Sequence, residues 1–254
     1  MGPVSKLRLR IDPLNPGQFF ACCGLFELID LREPGVLASF RWDAGQPRAA
    51  EFTVECSASP RELLKPLKSA QPEFVEASVE ASILPAVIAY GGKSLVLDWW
   101  LNEFRDKAVN LKCWAGQVTI KNLFCELLPL IDAEASGEDI FDRAHMSKAK
   151  FGVDPRSAWN TLDFGYSPNE HGADAATFPS VEILAAIGLQ GFRPDAHRRD
   201  GVSYGVWQEP LPAVVARQAF RHPWPGLPHR RVVFSIAKRG QSYKYFTFGK
   251  EKDQ

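Results

Sequence analysis

The feature that most constrains the fold is an apolar segment near the start of the chain. An Asn-Pro-Gly sequence at 15–17 predicts a helix start, because asparagine caps a first turn and proline suits the first helical position. The helix predicted over 16–31 is apolar around most of its circumference, and its polar interruptions are Gln18, Glu27 and Asp30. A helix without a polar face needs other elements around it, so we expect it at the centre of the fold, with Gly24 allowing a close backbone approach.

The remaining patterns predict short strands and helices in irregular order. The predicted strands are 4–12, 36–42, 50–56, 94–100 and 202–208, and a C-terminal hairpin joins 231–237 to 243–248 across a turn from Lys238 to Ser242. The predicted helices are 59–68, 117–131, 180–189 and 212–220, while 141–178 is expected to form long loops. This order lacks the alternation of a doubly wound sheet, and it predicts an α+β fold with mixed, mainly antiparallel sheets. We expect one domain over residues 1–254, with two lobes divided near 132–140 as the alternative.

Composition favours a cytoplasmic protein. The chain has 254 residues and is 45% hydrophobic, enough for a substantial core. No apolar run approaches the roughly 18 residues that span a bilayer, and the alternating N-terminus has no signal-peptide pattern. Five cysteines, an odd number, predict reduced thiols.

Charge is distributed unevenly along the chain. Residues 193–252 contain twelve lysines or arginines against four acids, a net charge of +8, whereas residues 1–192 carry 18 bases and 25 acids, a net charge of −7. Asp253 brings the total to zero. Such asymmetry favours a polyanion at the basic end and a protein partner elsewhere. A solvated hairpin with no ligand is the alternative interpretation of the basic end.

Sequence patterns typical of enzymes are weak. The five histidines have no metal-ligand spacing, and the Gly-Gly-Lys-Ser at 91–94 lacks the first glycine of a phosphate-binding loop. We therefore expect a protein that is not an enzyme and has no metal or cofactor. A metal-dependent nuclease that uses Asp163, Glu170 and Asp174 is the alternative.

The basic end supplies most of the predicted nucleic-acid contacts. Guanidinium forks suit phosphate oxygens, and aromatic residues interleaved with bases favour stacking. A second group at 112–117 places a tryptophan between a lysine and a glutamine. The predicted contact residues are Arg193, Arg198, Arg199, Arg230, Arg231, Lys238, Arg239, Tyr243, Lys244, Lys112, Trp114 and Gln117.

Several motifs resemble one known family. Residues 14–28 read LNPGQFFACCGLFEL, and they resemble the opening of the third Csb family of CRISPR-associated proteins from type I-G systems, formerly called I-U. The likeness continues in DWW at 98–100, KCWAGQ at 112–117, LDFGYSPN at 162–169 and FPSVEILAAIGLQ at 178–190.

The resemblance implies a subunit of a Cascade-like antiviral defence complex that carries a guide RNA and recognises foreign DNA. Related large subunits read the adjacent motif and dock a separate helicase-nuclease, so this role is one expectation for the chain. The resemblance also implies guide RNA, target DNA and other effector subunits as partners, and it implies no membrane. A structural adaptor in the same complex is the alternative.

Overall fold

Helices and short antiparallel strands are interleaved along the chain. The structure is a computed structural model that describes residues 5–43, 45–75, 83–115, 117–137, 139–158, 175–194, 196–197, 201–222, 226, 228–239 and 243–252. The helices are α1 (Pro16–Arg32), α2 (Pro60–Lys68), α3 (Ile120–Leu127), α4 (Pro179–Gly191) and α5 (Ala213–Arg221). The strands are β1 (Ser5–Ile11), β2 (Leu37–Trp42), β3 (Ala50–Cys56), β4 (Glu73–Phe74), β5 (Ala86–Tyr90), β6 (Lys93–Leu97), β7 (His145–Ser147), β8 (Ala175–Thr177), β9 (Ala196–His197), β10 (Gly201–Trp207), β11 (Leu211–Pro212), β12 (His229–Phe234), β13 (Ile236–Arg239), β14 (Tyr243–Phe246) and β15 (Lys250–Glu251). The predicted α+β class is confirmed.

Helix α1 lies at the centre, as predicted. The Asn15 side chain accepts a hydrogen bond from the Gln18 amide at 3.2 Å, which caps the first turn. Residues 16–26 of the helix are buried without interruption, because other elements surround it on all sides. The polar residue Gln18 is itself buried, and its side-chain oxygen accepts the Asp12 amide at 2.7 Å.

The main partner of α1 is α4, which is equally apolar. The two helices cross at Gly24 and Gly188. A Cβ atom at position 24 would overlap the Leu184 carbonyl, and one at position 188 would overlap the Phe20 carbonyl. Only glycine allows backbones to approach this closely, so the two helices form one tightly packed unit.

Two four-stranded antiparallel sheets pack around this helix pair. Their strand orders are β1-β3-β2-β11 and β15-β12-β10-β9. In β1, Leu7, Leu9 and Ile11 are buried while Arg8 and Arg10 are exposed, so the predicted alternation is confirmed. Phe19 of α1 connects both sheets, because its ring lies 5.3 Å from Phe40 of β2 and 4.3 Å from Tyr204 of β10.

The corner between β1 and α1 is fixed by residues distant in sequence. The Tyr204 hydroxyl donates to the Pro13 carbonyl at 2.7 Å. The Gly249 amide donates to the Leu14 carbonyl at 2.6 Å. Two loop carbonyls that would otherwise lose their hydrogen bonds on burial are therefore satisfied by the last quarter of the chain.

Two predicted elements end several residues earlier than expected. Strand β6 ends at Leu97, because the Gln190 side-chain oxygen takes the amides of Asp98 and Trp99 at 2.9 and 3.0 Å. The helix predicted over 117–131 is shorter, since Thr119 caps α3 and a 3₁₀ turn containing a proline follows Leu127.

The predicted C-terminal hairpin is also rearranged. Residues 229–234 pair with β10 and β15 in the second sheet, and only 236–239 pair with 243–246. Ser235 separates the two strands, and its amide donates to the Thr247 hydroxyl at 3.0 Å. The turn residues 240–242 lie outside the described part, as do residues 159–174 of the loop region predicted over 141–178. The prediction of a lobe boundary near 132–140 stays a prediction.

Candidate nucleic-acid interface

One short ribbon of the C-terminal segment carries two basic side chains that face the same way, Lys238 and Lys244. Strands β13 and β14 form this ribbon, which we call the basic ribbon and define as residues 236–239 and 243–246. Lys238 and Lys244 are directly opposite each other, so their side chains project from the same face. Lys238 is exposed and Lys244 is half-buried, and within the described residues no carboxylate forms an ion pair with either.

Backbone hydrogen bonds attach the basic ribbon to the rest of the protein. The Lys244 amide donates to the Cys113 carbonyl at 3.2 Å, and the Phe246 amide donates to the Gly152 carbonyl at 2.9 Å. Gly152 has a φ of 82°, and a Cβ there would lie 3.0 Å from the Cys113 Cβ. The fold thus brings together the two predicted groups, 112–117 and 238–244, which are far apart in sequence.

The 112–117 group contributes a charge but not a stacking surface. Trp114 is only 3% exposed, and its ring packs edge-on against Trp99 and Trp100 at 6.1 and 5.7 Å. The expectation that Trp114 stacks on a base is therefore corrected: the indole belongs to the core. The Lys112 ammonium donates to the Trp114 carbonyl at 2.8 Å, and Gln117 is exposed beyond it.

A buried carboxylate holds the loop that bonds to strand β14. Glu182 of α4 is fully buried, and its carboxylate accepts the amides of Phe151, Gly152 and Asp154 at 2.7, 3.0 and 3.3 Å. Burial, reinforced by the neighbouring Asp154 charge, raises the pKa of Glu182 to about 7. The carboxylate holds the loop on which β14 rests. The signal for Glu182 in the sequence is a single acid inside the apolar helix predicted over 180–189.

The Asp154 carboxylate continues this network to the surface. It accepts the Asn15 amide nitrogen at 3.0 Å and forms an ion pair with Arg156 at 2.8 Å. Arg156 also pairs with Asp142 and lies 3.7 Å from the Phe178 ring centroid. The start of α1, the loop at 151–154 and the start of α4 are thereby joined by charge-assisted hydrogen bonds.

The Arg230 guanidinium makes its contacts within the protein and is not available to a ligand. Its side chain is 11% exposed and pairs with Glu251 at 2.9 Å. It also donates to the Asp43 and Pro47 carbonyls and lies 4.9 Å from the Trp42 ring centroid. The predicted phosphate contact at Arg230 is corrected accordingly, because the guanidinium joins β12 to the turn between β2 and β3.

Other arginines of the basic end have protein partners as well. Arg193 donates to the Leu101 carbonyl at 2.9 Å. Arg231 donates to the Arg221 carbonyl, beside the C-terminus of α5, and to the Ser203 hydroxyl, at 2.8 and 2.6 Å. Arg217 forms an ion pair with Glu27 at 2.5 Å. Several of the described bases of this segment are therefore engaged within the protein, and the candidate interface contains fewer residues than the sequence predicted.

Some predicted residues fall outside what the structure describes. Arg198 and Arg199 lie outside the described residues, and for Arg239 and Tyr243 only the backbone is described. The carboxylates of the nuclease alternative also lie outside the described residues; they are Asp163, Glu170 and Asp174. Within the described ranges, no three histidine, cysteine or acidic side chains are placed to hold a metal ion. A search of the same ranges finds no helix with the length and apolarity needed to cross a membrane.

Comparison with known proteins leaves the family open. The chain matches no family model, and no curated protein and no solved structure is detectably similar to it. The resemblance to the type I-G family thus stays a prediction from short motifs.

Proposed function

We propose that this chain is a non-catalytic nucleic-acid-binding subunit of a type I-G CRISPR surveillance complex. The observation that carries the proposal is the register of the basic ribbon, which places Lys238 directly opposite Lys244. Like charges at opposed positions of an antiparallel pair are destabilising. A polyanion bound at this face offsets that cost, since each ammonium then faces a phosphate.

The shape of the basic ribbon suits duplex DNA. A two-stranded β-ribbon fits the major groove, where lysines reach phosphates or base edges. The Cys113 and Gly152 carbonyls accept the amides of Lys244 and Phe246 along the edge of β14, so the fold fixes the position of the ribbon. Lys112 lies on the same supporting segment and adds positive charge beside it.

The place in a surveillance complex follows from the motif resemblance. In such a complex the chain contributes to guide-RNA-directed recognition of foreign DNA, including the large-subunit role at the adjacent motif, while a separate helicase-nuclease cleaves. The acid-rich first 192 residues supply the surface for neighbouring subunits. One exposed apolar side chain suits such a contact: Phe104 is 82% exposed at the tip of a turn.

Duplex binding tests the proposal directly. A labelled 20-base-pair duplex is titrated with wild type, Lys238→Gln/Lys244→Gln and the matched control Lys65→Gln/Lys68→Gln, which removes two exposed charges from α2. The ribbon variant should bind about tenfold more weakly, and its slope of log affinity against log salt should fall by about two. The control should bind like wild type. Equal affinity of all three proteins removes the ribbon from the proposal.

Reconstitution tests the complex. The chain is co-expressed with a type I-G effector operon and its guide RNA, and the purified assembly is treated with nuclease. Retention of the chain before treatment and release after it supports a nucleic-acid-bound subunit. Retention after complete digestion identifies an adaptor that protein contacts hold in place.

A further inference from the structure

A turn between Leu101 and Ala108 carries the most exposed large apolar side chain of the described residues. Leu101 and Ala108 form an isolated antiparallel bridge, and residues 102–107 connect them. Phe104 lies near the tip of this connection and is 82% exposed. We call residues 102–107 the Phe104 turn. A single exposed apolar residue is common on protein surfaces, so the exposure has meaning only together with the way the turn is built.

Hydrogen bonds inside the Phe104 turn hold it in one conformation. The Asn102 amide donates to the Lys107 carbonyl at 2.9 Å, and the Arg105 amide donates to the Asn102 carbonyl at 3.0 Å. The Asn102 side chain also donates to the Asp106 carboxylate at 2.6 Å and accepts the Asp106 amide at 3.1 Å. Arg105 has a φ of 54°, a left-handed conformation that is unfavourable for residues other than glycine. The turn therefore keeps a strained shape, and strain of this kind is found most often at functional sites.

Contacts with the end of α4 fix the base of the Phe104 turn. The Arg105 guanidinium forms an ion pair with one oxygen of Asp98 at 2.5 Å, and the other oxygen accepts the Gln190 side-chain amide at 2.9 Å. Arg193, which follows α4, donates to the Leu101 carbonyl at 2.9 Å. Both sides of the turn are thus attached to one buried helix, so the fold defines where the Phe104 ring projects.

An aromatic ring on an ordered turn suits insertion into a pocket of another protein. Ordering a flexible loop on binding costs free energy, and a turn that is already ordered avoids most of this cost. Aromatic side chains that fill a pocket of the partner supply a large share of the binding energy at protein interfaces. The Phe104 turn therefore has both properties of an interface anchor.

The charges around the ring favour a protein partner over a nucleic acid. Segment 98–107 contains two bases and three acids, a net charge of −1, and the acids are Asp98, Glu103 and Asp106. The Arg105 charge is already paired with Asp98. Apolar side chains that insert between bases are accompanied by arginine and lysine, which this turn does not offer in excess. The turn repels a polyanion, whereas a protein pocket with basic side chains on its rim complements it.

We propose that Phe104 inserts into an apolar pocket of a neighbouring protein subunit and that a basic side chain on the rim of that pocket faces Glu103. The inference rests on the proposed function, because it takes the partner from the same complex. It deepens that function by assigning the protein contact to one preorganised turn, separate in sequence from the basic ribbon.

Site-specific photocrosslinking in the reconstituted complex tests the inference. The photoreactive amino acid benzoylphenylalanine replaces Phe104 in the chain that is co-expressed with a type I-G effector operon and its guide RNA. It replaces Val214, which is 66% exposed on α5, in the control. After irradiation and nuclease digestion, we expect position 104 to be crosslinked to one protein subunit, at apolar residues identified by mass spectrometry. Position 214 should give no crosslink to those residues.

Substitutions measure how much the ring contributes. Biolayer interferometry gives the affinity of the purified chain for the complex assembled without it. Phe104→Ala should bind at least about tenfold more weakly, whereas Phe104→Leu should keep most of the affinity and Val214→Ala all of it. Glu103→Lys should also weaken binding, because it places a base against a basic rim. Circular dichroism should show every variant folded, and Phe104→Ala should bind duplex DNA like wild type.

The outcomes separate this inference from the proposed function. A crosslink from position 104 to nucleic acid overturns the inference, and so does an affinity of Phe104→Ala within about twofold of wild type. Either result leaves the nucleic-acid-binding subunit in place. A wild-type chain that does not enter the complex overturns the proposed function and this partner with it. A ribbon variant that keeps full duplex affinity, beside the expected crosslink at position 104, overturns the ribbon contact and supports the anchor.

Discussion

Gly24 of α1 and Gly188 of α4 lie at the crossing point of the two helices, where each faces the other helix's backbone. Gly188→Ala places a methyl group against the Phe20 carbonyl, which cannot move without shifting α1. We expect a loss of about 3 kcal/mol in the free energy of unfolding, measured by urea titration. Gly45→Ala is the control, because a Cβ there meets no atom closer than 3.8 Å. Equal stability of the two variants would show that the helices can separate at no cost.

The opposed lysines of the basic ribbon predict a conflict between stability and binding. Lys238→Glu replaces a like-charge pair with an opposite-charge pair across the ribbon. The thermal midpoint should rise slightly, by an amount equivalent to at most about 1 kcal/mol at this exposed position. Duplex binding should weaken at the same time. A lower midpoint together with weaker binding would instead point to damage of the ribbon itself.

Glu182 predicts a pH dependence with a definite sign. The pKa of its carboxyl is raised to about 7, so the folded protein retains this proton at pH values where the unfolded chain has released it. The protonated Glu182 carboxyl therefore stabilises the folded state fully below about pH 4.5, and this stabilisation is lost as pH rises through 7.

The matched variant isolates that contribution. Between pH 5 and 8, wild type should lose on the order of 3 kcal/mol of unfolding free energy relative to Glu182→Gln, which cannot ionise. Denaturant titrations of both proteins across this range measure the difference. Parallel pH profiles would mean that the carboxyl titrates near its ordinary value.

Arg230 predicts a structural effect without a binding effect. Arg230→Lys keeps the charge but loses the fork that reaches the Asp43 and Pro47 carbonyls. We expect a loss of about 1–2 kcal/mol in stability and an unchanged salt slope for duplex binding. A reduced salt slope in a normally stable variant would return Arg230 to the interface.

The sequence predicts helix α1 well because its signals are local. The cap at Asn15 and the apolar pattern through Ile29 act over a few residues, and both appear in the structure. The alternation in β1 is local as well, and it correctly predicts that Arg8 and Arg10 are exposed. Local patterns of this kind predict the structure correctly because no distant contact favours a different local structure.

Roles that depend on distant contacts could not be predicted. Arg230 reads as a free base next to Arg231, and its carbonyl partners lie 183 and 187 residues earlier in the chain. Trp114 reads as an aromatic beside a lysine, and only the assembled core places Trp99 and Trp100 against it. The sequence shows which side chains are chemically suited to phosphate or a base, but only the fold shows which of them are not already bound within the protein.

The hydrogen bonds from Tyr204 and Gly249 to Pro13 and Leu14 also affect the order of folding during synthesis. The turn leading into α1 is translated before both donors: the Pro13 carbonyl finds its donor only after residue 204 has emerged from the ribosome, and the Leu14 carbonyl only after residue 249. Until then the apolar helix α1 lacks the contacts that β10 makes with it, among them the stacking of Tyr204 on Phe19. We therefore expect nascent chains that end before β10 to expose α1 and to aggregate more readily than chains that include residues 204 and 249.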